Sequence, residues 1–590
     1  MTVGDCFATK AEPVVLLESH VGGPSYAFSG YCGEVVAFNP DDVCAAIETV
    51  ERAAASGVHA AGFLTYEAAS GLDRAYRVKT GHELPLVWFG LYKHRQNIVP
   101  QQFDTVTENF TLSAWFPSIS RDVYDAVFRH IQQYIVSGDT YQVNYSFRLQ
   151  ALFEGDAWCF YRQLCQVQRT DFAAFIDLGH VQILSASPEL FFSLKKGELT
   201  ARPMKGTAPR GRWLEEDAEF MKALSQSEKD RAENVMIVDL LRNDLGRVSA
   251  TGSVSVPVLC QIERYQTVFQ MTSTVRGQLQ EGTGFGQVMQ ALFPCGSITG
   301  TPKVRTMQII DEIEVTPRGI YTGSIGYVSP GSEACFNVAI RTVCINRETQ
   351  TATFGVGGGV TVDSTCDGEY HECLIKAALL TTQRTEFDLF ETLRYDQADG
   401  FFLLDRHLNR LNQSALYWDF VFDPALAAKK LHDVIPDKQG FFRVRLLLKK
   451  EGICEVSTTP INNPQKDQVF RVCICDQPVD SANPFLFHKT THREIYASRL
   501  ALRPDCDDVI LVNERGEVTE CCIGNIVAKV AGVWLTPPVS CGLLAGTFRD
   551  LLLSQEIIQE RILTVSDLHC AEGLYLINSV REWVQLILVD

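Results

Sequence analysis

The stretch "DGEYHECLIKAALLTTQRTEFDLFETLRY", residues 367–395, changes its hydrophobic rhythm half-way along. In its first half, Tyr370, Cys373, Leu374 and Ala377 recur at the spacing that puts them on one face of a helix. In its second half the rhythm gives way to short strand-like runs, continued by "FFLLD" (401–405) and "FFRVRLLL" (441–448). A domain boundary at residues 380–386 follows, with one domain over 1–382 and a second over 386–590. A chain of 590 residues is too long for one ordinary core, which agrees.

Working outward, the first part mixes helical segments such as "EKDRAENVMIVDLLRNDLG" (228–246) with β-rich runs such as "AAFIDLG" (173–179), "VQILSAS" (181–187) and "GSIGYVS" (323–329). The second part pairs a helical "LNRLNQSALYW" (408–418) with "DVILVNERGEVTE" (508–520), which reads as a hairpin around a glycine-containing turn. Both parts are α+β, without the regular alternation of a doubly wound sheet. Neither carries a glycine-rich nucleotide loop, and no solenoid-scale repeat is present.

Composition narrows the function. A formal charge of -18 disfavours nucleic acid and anionic membrane as partners, because both reward basic surface. Small molecules are the expected ligands. The start "MTVGDCFATKAEPVVLLES" has no basic segment leading into a long apolar run, and no later stretch holds eighteen uninterrupted apolar residues, so a cytoplasmic protein without a membrane segment is expected. The 19 cysteines are scattered without Cys-x-x-Cys spacing and read as reduced, mostly core residues.

One lysine stands out in "RPMKGTAPRG" (202–211), bounded by proline and glycine after the alternating run "LFFSLKKGELTA" (190–201). Alone it reads as a solvated turn lysine. Around it lie "LSASPELFF" (184–192), "SEKDRAENVMIVDLLRNDLGRV" (227–248), "CGSITGTPKVRTMQIIDEIE" (295–314), "RGIYTGSIGYV" (318–328), "FNVAIRTV" (336–343) and "GVGGGVTVDSTCDGEYHECLIKA" (355–377). In "TGTPKV", Thr301 is expected as N-cap with Pro302 at the first helical position.

In this order and spacing the motifs resemble the chorismate-utilising enzymes, the family of anthranilate, isochorismate and aminodeoxychorismate synthases, over most of residues 120–380. The resemblance implies a β-sheet and helix sandwich that acts on chorismate and ammonia. It implies Mg²⁺ held by Glu233 and Glu372, where hard carboxylates suit the ion. It implies Tyr321 and Arg341 on the enolpyruvyl carboxylate, a forked guanidinium matching a carboxylate. The backbone of Gly357, Gly358 and Gly359 would approach the ligand closely, and Glu189 would be the general acid for the departing hydroxyl. Lysine in place of alanine before Gly-Thr resembles the aminodeoxychorismate synthases, so Lys205 would be the nucleophile at C2 that precedes amination at C4. Such a lysine must be neutral, against an ordinary pKa near ~10.4, and burial would favour that form. The chain has nothing resembling a cysteine nucleophile elbow with a later His-x-Glu. Ammonia would therefore come from a separate glutamine amidotransferase subunit or from solution.

In the second part, "FETLRY" (390–395), "LLDRHLNRLNQSA" (403–415), "FHKTTHREIYASRLAL" (487–502), "DDVILVNERGEVTECCIGNI" (507–526) and "LTPPVSCGLLAGTFRDLLL" (535–553) resemble fold-type IV pyridoxal-phosphate enzymes, which include branched-chain and D-amino-acid aminotransferases and aminodeoxychorismate lyases. The resemblance implies that Lys489 binds pyridoxal 5'-phosphate covalently, Glu520 pairs the pyridine nitrogen, and Arg410 and Thr547 hold the phosphate. It also implies a homodimer through this part. The pattern departs at the front, because "TEFDLFETL" begins where stand-alone members already have a hairpin behind them. Cys521 and Cys522, in place of a commoner Gly-Ser or Gly-Thr, tilt the reading towards a lyase. The expectation is a bifunctional enzyme of 4-aminobenzoate synthesis for folate. The alternatives are a synthase fused to an aminotransferase or inactive module, and an anthranilate synthase.

Overall fold

The computed structural model describes residues 12–81, 83–100, 109–266, 268–382, 385–434, 440–462 and 468–589. It divides into two units, Met1–Pro209 with Met221–Arg384, and Arg210–Phe220 with Thr385–Asp590. The partition departs from a single break near 380–386 in one place, since eleven residues that follow the Lys205 motif belong with the second unit.

The first unit is built on long antiparallel strands. Gln142–Gly155 pairs with Thr351–Val360 in a register that sets Gly357, Gly358 and Gly359 opposite Ser146, Tyr145 and Asn144. Leu190–Lys195 and Glu198–Arg202 form the hairpin foreshadowed by the alternation of 190–201. Two helices carry the expected carboxylates. Glu228–Gly246 is capped by Ser227, whose hydroxyl accepts from Asp230 N at 3.2 Å, with Glu228 and Asp230 in the first turn complementing the helix dipole. Its apolar face, Ile237, Leu241 and Leu245, is buried with Phe191, Phe192 and Phe336. Cys366–Ala377 is capped by Thr365 and buries Cys373 with Tyr145, Phe147 and Val356. Sheet and helices thus share two apolar interiors, as an α+β layer arrangement requires.

Three local expectations are corrected. Lys205 lies in a strand, Met204–Pro209, paired with Val268–Gln278, and not in a turn; the register slips between Met204 and Thr207, and Gly206 takes φ +86° at the slip. Proline and glycine here mark a bulge. Thr301 does not cap the following helix: it pairs with Gln142 in a short bridge strand, and Pro302 is the N-cap of Lys303–Ile313. "FFLLD" is not a strand, because Gly400–Phe401 is its extended part and helix Leu404–Trp418 begins three residues later.

In the second unit, Gly400–Phe401, Leu389–Asp396, Phe441–Leu448 and Cys454–Ile461 form a four-stranded antiparallel sheet. Six further strands close a ring. Val469–Ile474 pairs in parallel with both Asp508–Val512 and Glu582–Leu588, and the circuit runs through Gly573–Asn578 and Asn525–Val530 to Val518–Cys521. The closing pair is Glu520 with Asn525. The hairpin read from "DVILVNERGEVTE" is present, with Gly516 at φ +79°. The cysteines among the described residues are all free, and most are buried.

The first unit also contains a buried ion pair. Arg318 Nη2 and Nε donate to Glu314 Oε1 and Oε2 at 2.7 and 3.0 Å, and Glu314 Oε1 accepts from Ser146 N and Oγ. Truncating one partner leaves the other charge buried without compensation. Glu314→Ala should therefore destabilise the first unit by about 3–5 kcal/mol, lowering the midpoint of its urea transition. An unchanged midpoint would contradict this account of its interior.

Candidate active site

The first unit gathers most of its expected residues around one amine. A methyl group placed at Gly359 would stand 3.0 Å from Lys205 Nζ and 2.6 Å from Gln142 Nε2. At Gly358 it would stand 2.5 Å from Glu369 Oε2, and the Gly357 carbonyl accepts from Lys376 Nζ at 2.8 Å. Gly359 therefore clears the space in which Lys205 sits, and a side chain there would have to displace the ends of Lys205 and Gln142. Lys205 itself is half-buried.

Glu189 is buried, and Ser297 Oγ donates to its Oε1 at 2.6 Å. Burial pushes its pKa up to about 7, against the opposing pull of Ser297 and the Lys205 charge. A carboxyl that can hold a proton near neutral pH thus lies within the field of the Lys205 amine. Burial also raises the Glu233 carboxyl, with Lys205 opposing and Glu372 adding to the rise. Burial would raise Glu372 too, but Lys376, paired at 2.7 Å, and Lys205 outweigh it and hold the group below its ordinary value. One lysine charge acts on three glutamates from three different elements.

Tyr321 is buried with the Arg148 guanidinium 4.9 Å above its ring, and burial raises its hydroxyl. Arg341 takes a left-handed backbone (φ 50°), and its guanidinium donates to Gln168 Oε1. Burial lowers its pKa to about 10. It makes no hydrogen bond or ion pair with Tyr321 or the glycine run, so these expected carboxylate partners are not joined to each other. Sequence reading missed Gln142, which is fully buried with both amide atoms lacking a hydrogen-bond partner beside Lys205. Its signal lay in "YQVNY", where a polar residue occupies a strand position that faces inward.

The donor set suits a hard cation. Glu233, Glu372 and the unpartnered buried Glu369 Oε2 offer oxygen only. Among the described residues no three His, Cys, Asp or Glu side chains converge on one point. A cation here would rest on two carboxylates and complete its shell with substrate and water oxygens, which is Mg²⁺ chemistry rather than that of zinc.

In the second unit all four expected cofactor residues, Arg410, Lys489, Glu520 and Thr547, line one cavity of about 380 Å³. Lys489 is half-buried, and its Nζ lies 4.9 Å over the Phe390 ring. Burial, reinforced by the Arg410 charge, lowers its pKa to about 7, with Glu391 opposing. Glu520 is pushed up to about 7 by burial and accepts from Tyr496 Oη at 2.8 Å and Asn525 Nδ2 at 3.2 Å. It can share a proton with a ring nitrogen. Arg410 is held by Glu391 through Nε at 2.8 Å and Nη2 at 2.6 Å, and Glu391 also bonds His407 Nδ1 at 2.7 Å. His407 Nε2 reaches Thr547 Oγ1 at 3.2 Å, at the start of helix Thr547–Ser554. Arg410 Nη1 also donates to the Ala545 carbonyl at 3.0 Å, so the arginine, the Thr547 hydroxyl and the start of the helix line the same cavity.

The same cavity is lined by Arg443, Arg445, Arg493 and Arg581, none of which sequence reading singled out. Arg443 and Arg445 alternate with the buried Phe442, Val444 and Leu446 along one strand. The alternation in "FFRVRLLL" was the available signal. Both cysteines of "ECC" are buried, and Cys522 lines the cavity.

Residues 12–382 match the chorismate binding enzyme family over more than half of the chain. The chain belongs to that family. Residues 388–588 match the class IV amino-transferases, so a second enzyme domain follows the first. The chain is 45% identical over 277 residues to aminodeoxychorismate synthase component 1 of Klebsiella aerogenes, covering 46% of this chain and 60% of that one. With the same protein of Escherichia coli (strain K12) the identity is 43% over 285 residues, 48% of this chain and 62% of the relative. The chain thus spans less than two thirds of the length of these curated relatives. Among solved structures, anthranilate synthase component I from Streptococcus pneumoniae TIGR4 superposes with a TM-score of 0.54 at 26% identity, covering 62% of this chain and 94% of that chain. No helix among the described residues is long and apolar enough to cross a membrane.

Burial alone would raise Glu391, but Arg410 and His407 more than offset it and hold its carboxyl well below the carboxylate range. A depressed pKa gives stability that is present above the unfolded value of about 4.3 and is lost as pH falls through the folded value. Glu391→Gln should remove that dependence. Urea midpoints of the second unit between about pH 3 and 5 should then fall less steeply in the variant than in wild type. Parallel curves would show that the carboxylate is not held as described.

Proposed function

We propose that the chain aminates chorismate at C4 in its first unit and converts the 4-amino-4-deoxychorismate to 4-aminobenzoate and pyruvate in its second, a route to the aromatic part of folate. The observation that carries the reading is Lys205 Nζ in the space cleared by Gly359, with a buried, protonatable Glu189 acted on by the same charge.

In the first unit the Lys205 amine, once freed of its proton, bonds to C2 of the ring, both ring double bonds shift, and the C4–O bond breaks with Glu189 giving its proton to the hydroxyl, which leaves as water. Ammonia then bonds to C4, the double bonds shift back, and the C2–N bond to Lys205 breaks, returning the free amine. Glu233 and Glu372 would hold Mg²⁺, whose charge offsets the substrate carboxylates. Buried Tyr321 and Gln142 and half-buried Arg341 would supply polar groups for orientation, and a separate amidotransferase would deliver the ammonia.

In the second unit Arg410 and Thr547 would hold the phosphate of pyridoxal 5'-phosphate and Glu520 its ring nitrogen. When bound, the cofactor supplies an electron sink. Lys489, poised near neutrality by burial, can take the C4 proton and return it. Arg443, Arg445, Arg493 and Arg581 offer more cationic surface than one carboxylate needs, which suits a substrate carrying two. Loss of the enolpyruvyl group as pyruvate makes the ring aromatic.

Chromatographic product analysis with chorismate, Mg²⁺, pyridoxal phosphate and ammonium tests the scheme. Wild type should yield 4-aminobenzoate and pyruvate, Lys489→Ala should accumulate aminodeoxychorismate, and Lys205→Ala should lose at least ~10²-fold in amination rate. Anthranilate as the product would replace the first assignment. Aminodeoxychorismate as the end product of wild type would replace the second with an aminotransferase or an inactive module.

A further inference from the structure

Lys489 follows a histidine whose surroundings the cofactor chemistry does not use. His488 is buried, and its Nε2 lies 3.1 Å from the Arg212 carbonyl. A carbonyl can only accept, so Nε2 carries the proton and Nδ1 accepts from Ser414 Oγ at 2.9 Å. The ring is stacked on Tyr417, with centroids 4.4 Å apart and planes at 26°. Tyr417 Oη donates to the Gly211 carbonyl at 2.7 Å. Two consecutive carbonyls of a segment far away in sequence thus fix the ring and the surface beneath it.

That segment is anchored on its own account. Arg210 pairs with Asp217 at 2.6 Å, both side chains buried, and its guanidinium sits 4.8 Å over the Tyr417 ring. Asp217 Oδ1 also accepts from Gly211 N at 2.8 Å. Arg212 donates to the Ser481 and Ser540 carbonyls, and Trp213 packs on Phe487 with centroids 5.0 Å apart. On the other side of Lys489, Phe390 N donates to the Lys489 carbonyl at 3.0 Å, and Asp388 and Thr491 exchange bonds of 2.8 and 2.9 Å. The lysine backbone is clamped between strand Leu389–Asp396 and His488.

We infer that Arg210–Phe220, a piece of the first family domain by sequence, is a positioning element of the second unit's cofactor site, and that it acts through His488 to set the direction from which Lys489 enters the cavity. His488 touches neither cofactor nor substrate in this account; it is a positioning residue. Residues 386–590 alone would hold every cofactor-binding side chain and lack the carbonyls that seat the lysine. The inference rests on the cofactor reading above for its functional meaning, but the mechanical tie can be measured without cofactor.

The full chain carrying His488→Ala is compared with wild type and with His488→Gln, which keeps an N–H donor for the Arg212 carbonyl. Without cofactor, amide hydrogen exchange over residues 487–491 should rise about tenfold in His488→Ala, the change expected when one local tie of ~1.4 kcal/mol is lost. With pyridoxal phosphate added, its dissociation constant should rise by a similar factor, about tenfold, and the visible circular dichroism of the bound cofactor should change. His488→Gln should restore most of both. Trp213→Ala, which loosens the segment at Phe487, carries the same expectation should His488→Ala fail to fold. Unchanged exchange overturns the tie. Raised exchange with unchanged affinity and dichroism overturns the positioning role. Failure of wild type to take up the cofactor would sink the proposed lyase function, while the exchange arm would still decide the tie.

Discussion

Glu189 in the first unit and Glu391, Lys489 and Glu520 in the second are charges or proton carriers drawn away from water, and the structure depends on how that removal is balanced. An ionised side chain taken from water without a partner is costly, and the group either finds a counter-charge or shifts towards its neutral form. Both outcomes occur here. Glu391 finds Arg410 and His407 and stays ionised, whereas Lys489, Glu189 and Glu520 move towards neutrality under burial. The first outcome builds a rigid cradle. The second makes groups that can exchange protons near pH 7.

The two units reach this balance with different backbones. In the first, a bulged strand presents Lys205 to a strand of three glycines, so the amine occupies volume that side chains would otherwise fill. In the second, Lys489 leaves a clamped irregular segment and lines a cavity whose walls carry five arginines, counting Arg410. A chain of net charge -18 thus concentrates positive charge where an anionic substrate and a phosphate would need it.

Much of this was legible in the sequence, and the failures have physical causes. Helices Glu228–Gly246 and Cys366–Ala377 and strand Phe441–Leu448 followed from periodicity, since their apolar residues face one buried layer. Motif order singled out Lys205, Glu189, Lys489 and Glu520, and their surroundings are Gly359 and Gln142 for Lys205, Ser297 for Glu189, Phe390 for Lys489, and Tyr496 and Asn525 for Glu520. Lys205 was misread as a turn residue because a bulge uses the same glycine signal as a turn. Arg443 and Arg445 went unremarked because they alternate with buried residues as on any half-exposed strand, whereas here their face lines the cavity. Gln142 and Glu391 take their meaning from partners far away in sequence. The membership of residues 210–220 in the second unit left no trace in local pattern, because Arg210, Trp213 and Asp217 take their partners from one another and from residues far away in sequence.

The central claim is that burial makes Lys489 the amine that captures pyridoxal phosphate. The most direct measurement is borohydride reduction of the full chain loaded with pyridoxal phosphate near pH 7, followed by peptide mapping of the bound pyridoxyl group. The account predicts a single modified peptide containing Lys489, with no label there in a Glu391→Ala, Arg410→Ala double variant at the same cofactor concentration. Label spread over surface lysines, or a dominant label elsewhere in the chain, would contradict it.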